Sequence, residues 1–186
     1  LKKIARTDVS EIVIPNIDVT TLSASLRKDL RSDHAGETGA VMIYKGILAV
    51  SRDPEIQSFA SDHLKTEQEH LALFESWLPP NDKSKLLLLW KISGFLLGVL
   101  AALASKHLTY YTIEIVEQFV VEHYGSQILT APEDLREMLL KLQSEEKEHQ
   151  LEAITLQDGS QGRIYDLWGS LVDSGSRLAV NVARLI

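Results

Sequence analysis

The chain has 186 residues, a length typical of one domain. It contains no cysteine, which excludes disulfide scaffolds, thiolate zinc sites and cysteine nucleophiles. Nineteen Lys and Arg against 26 Asp and Glu give a formal net charge of −7. This charge argues against a nucleic-acid-binding protein, because such proteins present a basic surface. Residues 1–20 show neither a secretory nor a transit pattern, and we interpret them as an N-terminal extension before a single domain at 21–186.

Apolar residues recur with a helical period along almost the whole domain, and no run alternates as a β-strand does, so the predicted fold class is all-α. The first long helix ends at the turn 51–54. Asp53 can cap the next helix there, and Pro54 suits its first position. The second helix stops at 79–82, where two prolines stand together.

The most apolar segment follows at 86–104. Its uncharged part, 92–104, is shorter than the roughly 20 residues that span a bilayer, which favours a buried or interfacial helix. A helix over 112–128 comes next, and residues 130–133 are typical of a capping box with a proline just inside the following helix. A break at 158–162 precedes a final amphipathic helix.

Two histidines stand three residues after a glutamate, as the pairs Glu67/His70 and Glu146/His149. Three residues are about one helical turn, so each pair projects from one face of its helix. A single Glu-x-x-His is a weak signal that surface residues often produce. Both pairs, however, lie on the apolar stripe of their helix, where an uncompensated carboxylate would be costly to bury.

Two further glutamates, Glu37 and Glu117, also lie on apolar stripes, 30 residues before Glu67 and 29 residues before Glu146. The midpoint of each interval falls inside a predicted turn. Residues equally far from the turn of a helical hairpin come level with each other. Each hairpin should therefore present one Glu and one Glu-x-x-His at one height, facing inward.

Two such hairpins give four carboxylates and two imidazoles around one point, which is the ligand set of di-iron and di-manganese bundles. Oxygen and imidazole donors favour iron or manganese, and no basic residue occupies the matching stripe positions. The predicted architecture is a ferritin-like four-helix bundle with a long apolar crossover helix and an extra C-terminal helix. The predicted metal ligands are Glu37, Glu67, His70, Glu117, Glu146 and His149.

The run Asp33-His34-Ala35-Gly36-Glu37 resembles the signature of the demethoxyubiquinone monooxygenases, the di-iron hydroxylases of ubiquinone biosynthesis. Glu117 with His123-Tyr124, and the run 145–149, are similar to the third and fourth helices of that family. The resemblance extends over 25–186, including the C-terminal segment around Arg177. Two positions depart from the family pattern, Gln118 and Glu122, and neither is a predicted ligand.

The resemblance implies the same six ligands, with Glu37, Glu67, Glu117 and Glu146 as the catalytic carboxylates around two iron ions. It also implies O2 as co-substrate, an external electron donor such as NADH, and hydroxylation of a demethoxylated polyprenyl benzoquinone or quinol. We predict His123, Tyr124 and Arg177 as residues that contact the quinone or an electron-donating cofactor. No Gly-x-Gly-x-x-Gly sequence is present, so the donor should bind elsewhere than in a dinucleotide-binding fold.

Four other polar residues have both a functional and an ordinary interpretation. His34 and His63 lie near the ligand stripes, and each could orient a carboxylate or simply occupy the core or surface. Asp33 could accept a hydrogen bond from a ligating imidazole. His107 has no supporting context and is predicted to be a surface residue.

The segment 86–104 and the last helix leave apolar residues without a predicted partner. We predict a peripheral membrane protein, at the cytoplasmic face of a bacterial membrane or the matrix face of the mitochondrial inner membrane. A homo-oligomer contact is the competing explanation, and other ubiquinone-biosynthesis proteins are further candidate partners. Two rival functions use the same residues: an iron-oxidising storage bundle, and a lipid-binding helical scaffold with a relic metal site.

Overall fold

The computed structural model describes residues 12–157 and 162–186, and these residues contain no β-strand. The α-helices are α1 (Ala24–Val50), α2 (Pro54–Trp77), α3 (Leu87–Ala104), α4 (Lys106–Ile128), α5 (Glu133–Leu156) and α6 (Arg163–Ala183). The all-α prediction is confirmed. Residues 1–11 of the predicted extension, and residues 158–161 of the predicted break before the last helix, lie outside the described residues.

Local capping chemistry explains where the first hairpin turns. The Asp53 carboxylate accepts hydrogen bonds from the backbone N–H groups of Glu55 and Ile56, and Pro54 is the first residue of α2, as predicted. The predicted capping box of the second hairpin is wrong. Pro132 is itself the N-cap of α5, so the hydroxyl of Thr130 stands too early and donates to a carbonyl at the end of α4 instead.

The hairpins α1–α2 and α4–α5 pack into a four-helix bundle with an apolar cluster towards each end. Each helix contributes to both clusters, and the predicted ligands lie between them along the chain. On α1, for example, Leu30 belongs to one cluster, Ile43 belongs to the other, and Glu37 lies in between. The bundle therefore encloses a layer of buried polar side chains between two apolar clusters.

Helix α3 is the predicted crossover between the hairpins. Gly94 and Gly98 lie so close to α1 that a Cβ on either would overlap a backbone carbonyl, that of Gly39 or Ile43 respectively. The helix has 18 residues, and at 1.5 Å per residue it covers about 27 Å of the bundle side. Among the described residues, α3 alone has the length and apolar composition that could cross a bilayer. The close packing of its backbone against α1 supports the prediction that α3 is the crossover helix along the side of the bundle.

The extra C-terminal helix α6 packs beside α4 and α1. The indole N–H of Trp168 donates to the hydroxyl of Thr112, and an ion pair between Arg184 and Asp29 fastens the end of α6 to α1. Both α3 and α6 present exposed apolar side chains: Leu88, Leu89, Ile92, Leu96, Leu100, Leu103, Ile164, Leu167, Leu171 and Leu178.

Candidate metal centre

The six predicted ligands come together at the middle of the bundle, and none of them is more than 5% exposed. Their helices carry them to one level because the turns lie at 51–53 and 129–132, near the midpoint of each Glu-to-Glu interval. The structure therefore brings the six side chains to one level of the bundle, as their spacing from the two turns predicts.

The ligand atoms form two overlapping groups. Glu37, Glu67, His70 and Glu146 make one group, and Glu67, Glu117, Glu146 and His149 make the other. Within each group the candidate ligand atoms lie within 4.8 Å of one another. Because Glu67 and Glu146 belong to both groups, the arrangement offers two adjacent metal positions joined by two shared carboxylates.

Several of these atoms are buried without a hydrogen-bond partner. They include one oxygen each of Glu37 and Glu67, both oxygens of Glu146, and the Nδ1 atoms of both histidines. His70 Nδ1 lies 2.9 Å from Glu146 Oε1, and His149 Nδ1 lies 3.0 Å from Glu67 Oε1, but neither contact is aligned as a hydrogen bond. Lone pairs that converge on a common point are what a cation requires.

The cluster contains buried carboxylates whose charge a bound cation could balance in place of protons. Burial raises the pKa of Glu37 to about 8 and the pKa of Glu117 well above its ordinary value. Burial also acts to raise the pKa of Glu146, but the neighbouring imidazoles of His149 and His70 outweigh burial and lower the pKa of this carboxyl. Among the described residues, no Lys or Arg pairs with any of the four carboxylates. Two divalent cations would balance four ionised carboxylates, so the donor set fits a pair of such ions.

Two tyrosines donate hydrogen bonds across the bundle to Glu37 and Glu117, the two glutamates that are not part of a Glu-x-x-His pair. Tyr44 donates a hydrogen bond of 2.9 Å to Glu117 Oε1, and Tyr124 donates one of 2.6 Å to Glu37 Oε1. Each tyrosine follows the glutamate of its own helix by seven residues and binds the glutamate of the other hairpin. Tyr44 was not among the predicted site residues, although its spacing from Glu37 repeats that of Tyr124 from Glu117.

The imidazole of His70 has a carboxylate partner on its outer side. Its Nε2 lies 2.7 Å from Glu145 Oε2, and Lys141 lies 3.1 Å from the other oxygen of Glu145. Burial alone would lower the pKa of His70, but the carboxylates of Glu145 and Glu146 raise it well above its ordinary value. Such an outer carboxylate fixes which ring nitrogen faces a metal. Helical periodicity does not single out Glu145, because this residue directly precedes the predicted ligand Glu146 and so lies off the ligand stripe.

Other polar residues lie differently from the sequence expectation. Asp33 does not contact a ligating imidazole, since its carboxylate faces His123 at 3.0 Å and accepts a hydrogen bond from Gln127. His34 accepts a hydrogen bond from the backbone N–H of Ser84 and so fastens the segment before α3. His107 is buried, because α6 covers it and its ring meets that of Tyr165 edge to face. The surface prediction for His107 is wrong.

A cavity of about 510 Å³ leads from the carboxylates to the outside of the bundle. Residues of α1, α3, α4 and α6 line it, and all four glutamates of the cluster reach its wall. Exposed leucines on α3 and α6, among them Leu89 and Leu171, also line the cavity, so it opens at the apolar surface of these helices.

The three residues predicted to bind a cofactor or quinone lie on the cavity side of the bundle. His123 and Tyr124 line the cavity itself. Arg177 lies farther out, where its guanidinium stacks over Phe119 and pairs with Glu122 and Asp173. The stacked rings of Phe119 and His123 lie between Arg177 and the cavity, at a centroid distance of 5.9 Å from each other.

The fold and the site together define a class: a helical bundle with a buried carboxylate–histidine cluster that could hold metal ions. A sequence model of the family described as "Ubiquinone biosynthesis protein COQ7" matches residues 24–183. The chain belongs to this family, which is the family that its sequence motifs resemble.

Curated relatives match over most of the chain. The human protein named "NADPH-dependent 3-demethoxyubiquinone 3-hydroxylase, mitochondrial" is 32% identical over 175 residues, covering 87% of this chain and 78% of the human protein. The protein of the same name from Dictyostelium discoideum is 27% identical and covers 94% of this chain and 84% of its own length. The "3-demethoxyubiquinol 3-hydroxylase" of Rhodospirillum rubrum is 29% identical, with coverages of 88% and 80%.

Proposed function

We propose that this protein is a monooxygenase that hydroxylates the ring of a demethoxylated polyprenyl benzoquinone or quinol in ubiquinone biosynthesis. One observation carries the proposal: an apolar cavity that opens between exposed leucines ends on four buried carboxylates, which form one cluster with two imidazoles. A cavity of this kind suits a flat, apolar ring delivered to a reactive centre. The names of the human and Rhodospirillum rubrum relatives support the choice of substrate.

Two iron ions would occupy the cluster, held by Glu37, Glu67, His70, Glu117, Glu146 and His149, with Glu67 and Glu146 shared between them. Bound iron supplies the activation of O2 that the side chains cannot provide. The reaction balances when a ring C–H, O2, two electrons and two protons give a ring C–OH and water. An external nicotinamide donor, such as NADH, would supply the electrons. The word NADPH in the names of several relatives supports such a donor.

The chain's own residues bind the ring and exclude water. Apolar side chains of α3 and α6 cover the cavity, which keeps its inner end at low dielectric. Tyr124 donates to Glu37 at the cavity wall and thereby orients that carboxylate beside the bound ring. We expect His123, held by Asp33, to contact the ring or its polar substituents, and Arg177 to contribute from outside through Phe119.

A membrane surface is the source of substrate in this proposal, because a polyprenyl quinone is nearly insoluble in water. Three exposed leucines of α3 and α6 line the cavity, Leu89, Leu171 and Leu178, and the other exposed apolar side chains lie on the same two helices. Burial of apolar area contributes roughly 25 cal/mol per Å², so a few of these leucines would attach the protein by several kcal/mol. The net charge of −7 opposes binding to anionic lipid, so attachment should depend little on salt. A second copy of the chain is the competing occupant of this surface.

The rival functions explain less of the structure. An iron-storage bundle needs no apolar cavity that leads from the metal positions to exposed leucines. A lipid-binding scaffold with a relic site would not need all six ligands, or the tyrosine and Glu145 contacts that orient them. Both rivals predict that the protein will not convert a quinone.

The proposal is tested by incubating the iron-loaded protein with a short-tailed demethoxyquinone, NADH and 18O2. We expect one 18O atom in the new ring hydroxyl, because the other oxygen leaves as water. Hydroxylation should fall to background in the Glu117→Gln variant, which keeps size and shape but removes a ligand charge. Product that carries no label, or an unaffected Glu117→Gln variant, would contradict the proposal.

The membrane step has a separate test. Replacing the exposed residues Leu96 and Leu100 by Glu should release the protein from phosphatidylcholine vesicles. Turnover of a long-tailed quinone in those vesicles should fall with binding, whereas turnover of a short-tailed soluble analogue should stay unchanged. Equal losses on both substrates would assign these leucines a role other than membrane contact.

A further inference from the structure

A hydrogen-bonded chain runs from Glu117 to the surface between α2 and α5. The hydroxyl of Tyr44 donates to Glu117 and lies 3.2 Å from His63 Nδ1. His63 Nε2 in turn lies 3.0 Å from Glu152 Oε2. Tyr44 and His63 are buried, whereas the side chain of Glu152 is 44% exposed. Neither Tyr44 nor His63 lines the cavity, so this chain leaves the ligand cluster by another route.

The ring of His63 is also held by its neighbours. It packs against Phe59 at a centroid distance of 4.2 Å and against the predicted ligand His149 at 4.1 Å. Contact with both rings restricts how the imidazole turns, and the contacts of its two nitrogens fix which one faces Tyr44. His63 therefore has a single orientation that joins Tyr44 to Glu152.

The second hairpin shows that packing alone does not require a histidine at this position. Leu142 precedes Glu146 by four residues, as His63 precedes Glu67, and it is fully buried in the apolar core. A buried imidazole costs free energy unless its polar atoms find partners. The first hairpin nevertheless carries a buried imidazole, that of His63, whose two nitrogens face Tyr44 and Glu152.

We propose that His63, oriented by Glu152, is a positioning residue for the metal centre. It holds the Tyr44 hydroxyl against Glu117 Oε1, so that Glu117 presents its other oxygen to the metal. This inference rests on the metal centre of the proposed function but not on its substrate. Removing a partner of this kind typically lowers metal affinity by about 10- to 100-fold.

The test is a titration of purified full-length apoprotein with Mn2+, followed by electron paramagnetic resonance. His63→Phe keeps a ring between Phe59 and His149 but removes both nitrogens. We expect one of the two bound Mn2+ ions to bind about 10- to 100-fold more weakly, with an altered spectrum of the coupled pair. Tyr44→Phe should produce the same change, and His63→Gln, whose amide N–H can still donate to the Tyr44 oxygen, should restore part of the affinity.

His107→Phe is the matched control, because His107 is also buried against an aromatic ring but lies away from the ligands. It should leave Mn2+ affinity and the spectrum unchanged. Wild-type affinity and spectrum in His63→Phe would overturn the positioning role. If His63→Phe does not fold, the test uses Tyr44→Phe, which removes a single oxygen atom. Unchanged Mn2+ affinity and spectrum in Tyr44→Phe would then overturn the positioning role. Wild-type protein that binds no Mn2+ pair would overturn the proposed function as well, whereas an intact pair in every variant would overturn this inference alone.

Discussion

The hairpins α1–α2 and α4–α5 each carry a lone glutamate, a tyrosine seven residues later, and a Glu-x-x-His pair on the second helix. In each hairpin the tyrosine donates to the glutamate of the other hairpin. The outer contacts differ, however. His70, the histidine of the first hairpin, contacts Glu145, whereas His149, the histidine of the second, packs against the ring of His63.

A second difference concerns the cavity. Tyr124 lines it, whereas Tyr44 lies away from it and meets His63 instead. The ligand set is thus nearly symmetric, while its surroundings are not. The comparison indicates that the four-helix framework brings the candidate ligand atoms together, and that the neighbouring side chains make the two sides of the cluster different.

The largest expected effect separates shared from unshared ligands. Glu146→Ala removes a carboxylate common to both metal positions, so we expect iron content to fall from about two per chain to near zero. Glu37→Ala removes a ligand of one position only and should leave about one iron per chain. Metal analysis after anaerobic reconstitution measures both. Equal losses in the two variants would contradict the shared-ligand arrangement.

The next effect concerns pH, since Glu37 and Glu146 have opposite pKa shifts. Burial raises the pKa of Glu37 from 4.5 to about 8, so its contribution to the stability of metal-free protein is lost as pH rises through about 8. Each proton that only the folded state retains changes the free energy of unfolding by about 1.4 kcal/mol per pH unit. Glu146 acts only at acid pH, because its pKa is lowered and its contribution is lost as pH falls.

Urea unfolding of metal-free protein should therefore show falling stability between pH 4.5 and about pH 8, the ordinary and the folded-state pKa values of Glu37. Glu37→Gln should make this fall less steep without abolishing it, because the raised pKa values of Glu117, His70 and His149 act in the same direction. Saturating Mn2+ should oppose the fall because metal binds the ionised carboxylates. A stability that rises over this window would show that Glu37 is ionised in the metal-free fold.

A smaller effect on metal affinity should follow when the carboxylate of Glu145, which contacts His70 from outside the cluster, is removed, or when one is introduced at the corresponding position of the first hairpin. Glu145→Gln should weaken metal binding at the His70 position by about 10- to 100-fold. Thr66 occupies the corresponding position before Glu67, and Thr66→Glu should strengthen binding at the His149 position by up to about 10-fold. Competitive Mn2+ titrations compare the two variants. If Glu145→Gln has no effect, the outer carboxylate does not distinguish the two positions.

The smallest effect should distinguish the two tyrosines. Tyr124→Phe changes the cavity wall and one ligand contact, so we expect KM for the quinone to rise by a few-fold as kcat falls. Tyr44→Phe changes a ligand contact away from the cavity and should lower kcat with KM unchanged. Steady-state kinetics on a soluble quinone analogue measure both. A raised KM in Tyr44→Phe would contradict the interpretation that the quinone binds only on the Tyr124 side of the ligand cluster.

Much of this site could be predicted from residue spacing. Helical period and two turns placed the six ligands at one height, because a hairpin brings equally distant residues level. Side chains that depend on packing between distant segments could not be placed this way. Glu145 faces His70 only because of how α5 is rotated against α2, and His107 is buried only because α6 returns over α4. The partner of Asp33 likewise depends on the register between α1 and α4.

The central claim is that these six residues hold two metal ions. Iron content of the wild-type protein after anaerobic reconstitution tests it most directly, with Mössbauer spectra to resolve the two positions. We predict close to two irons per chain, in two spectrally distinct environments because Glu145 supports only one of the two histidines. A folded protein with all six ligands intact that takes up neither iron nor manganese would contradict the account.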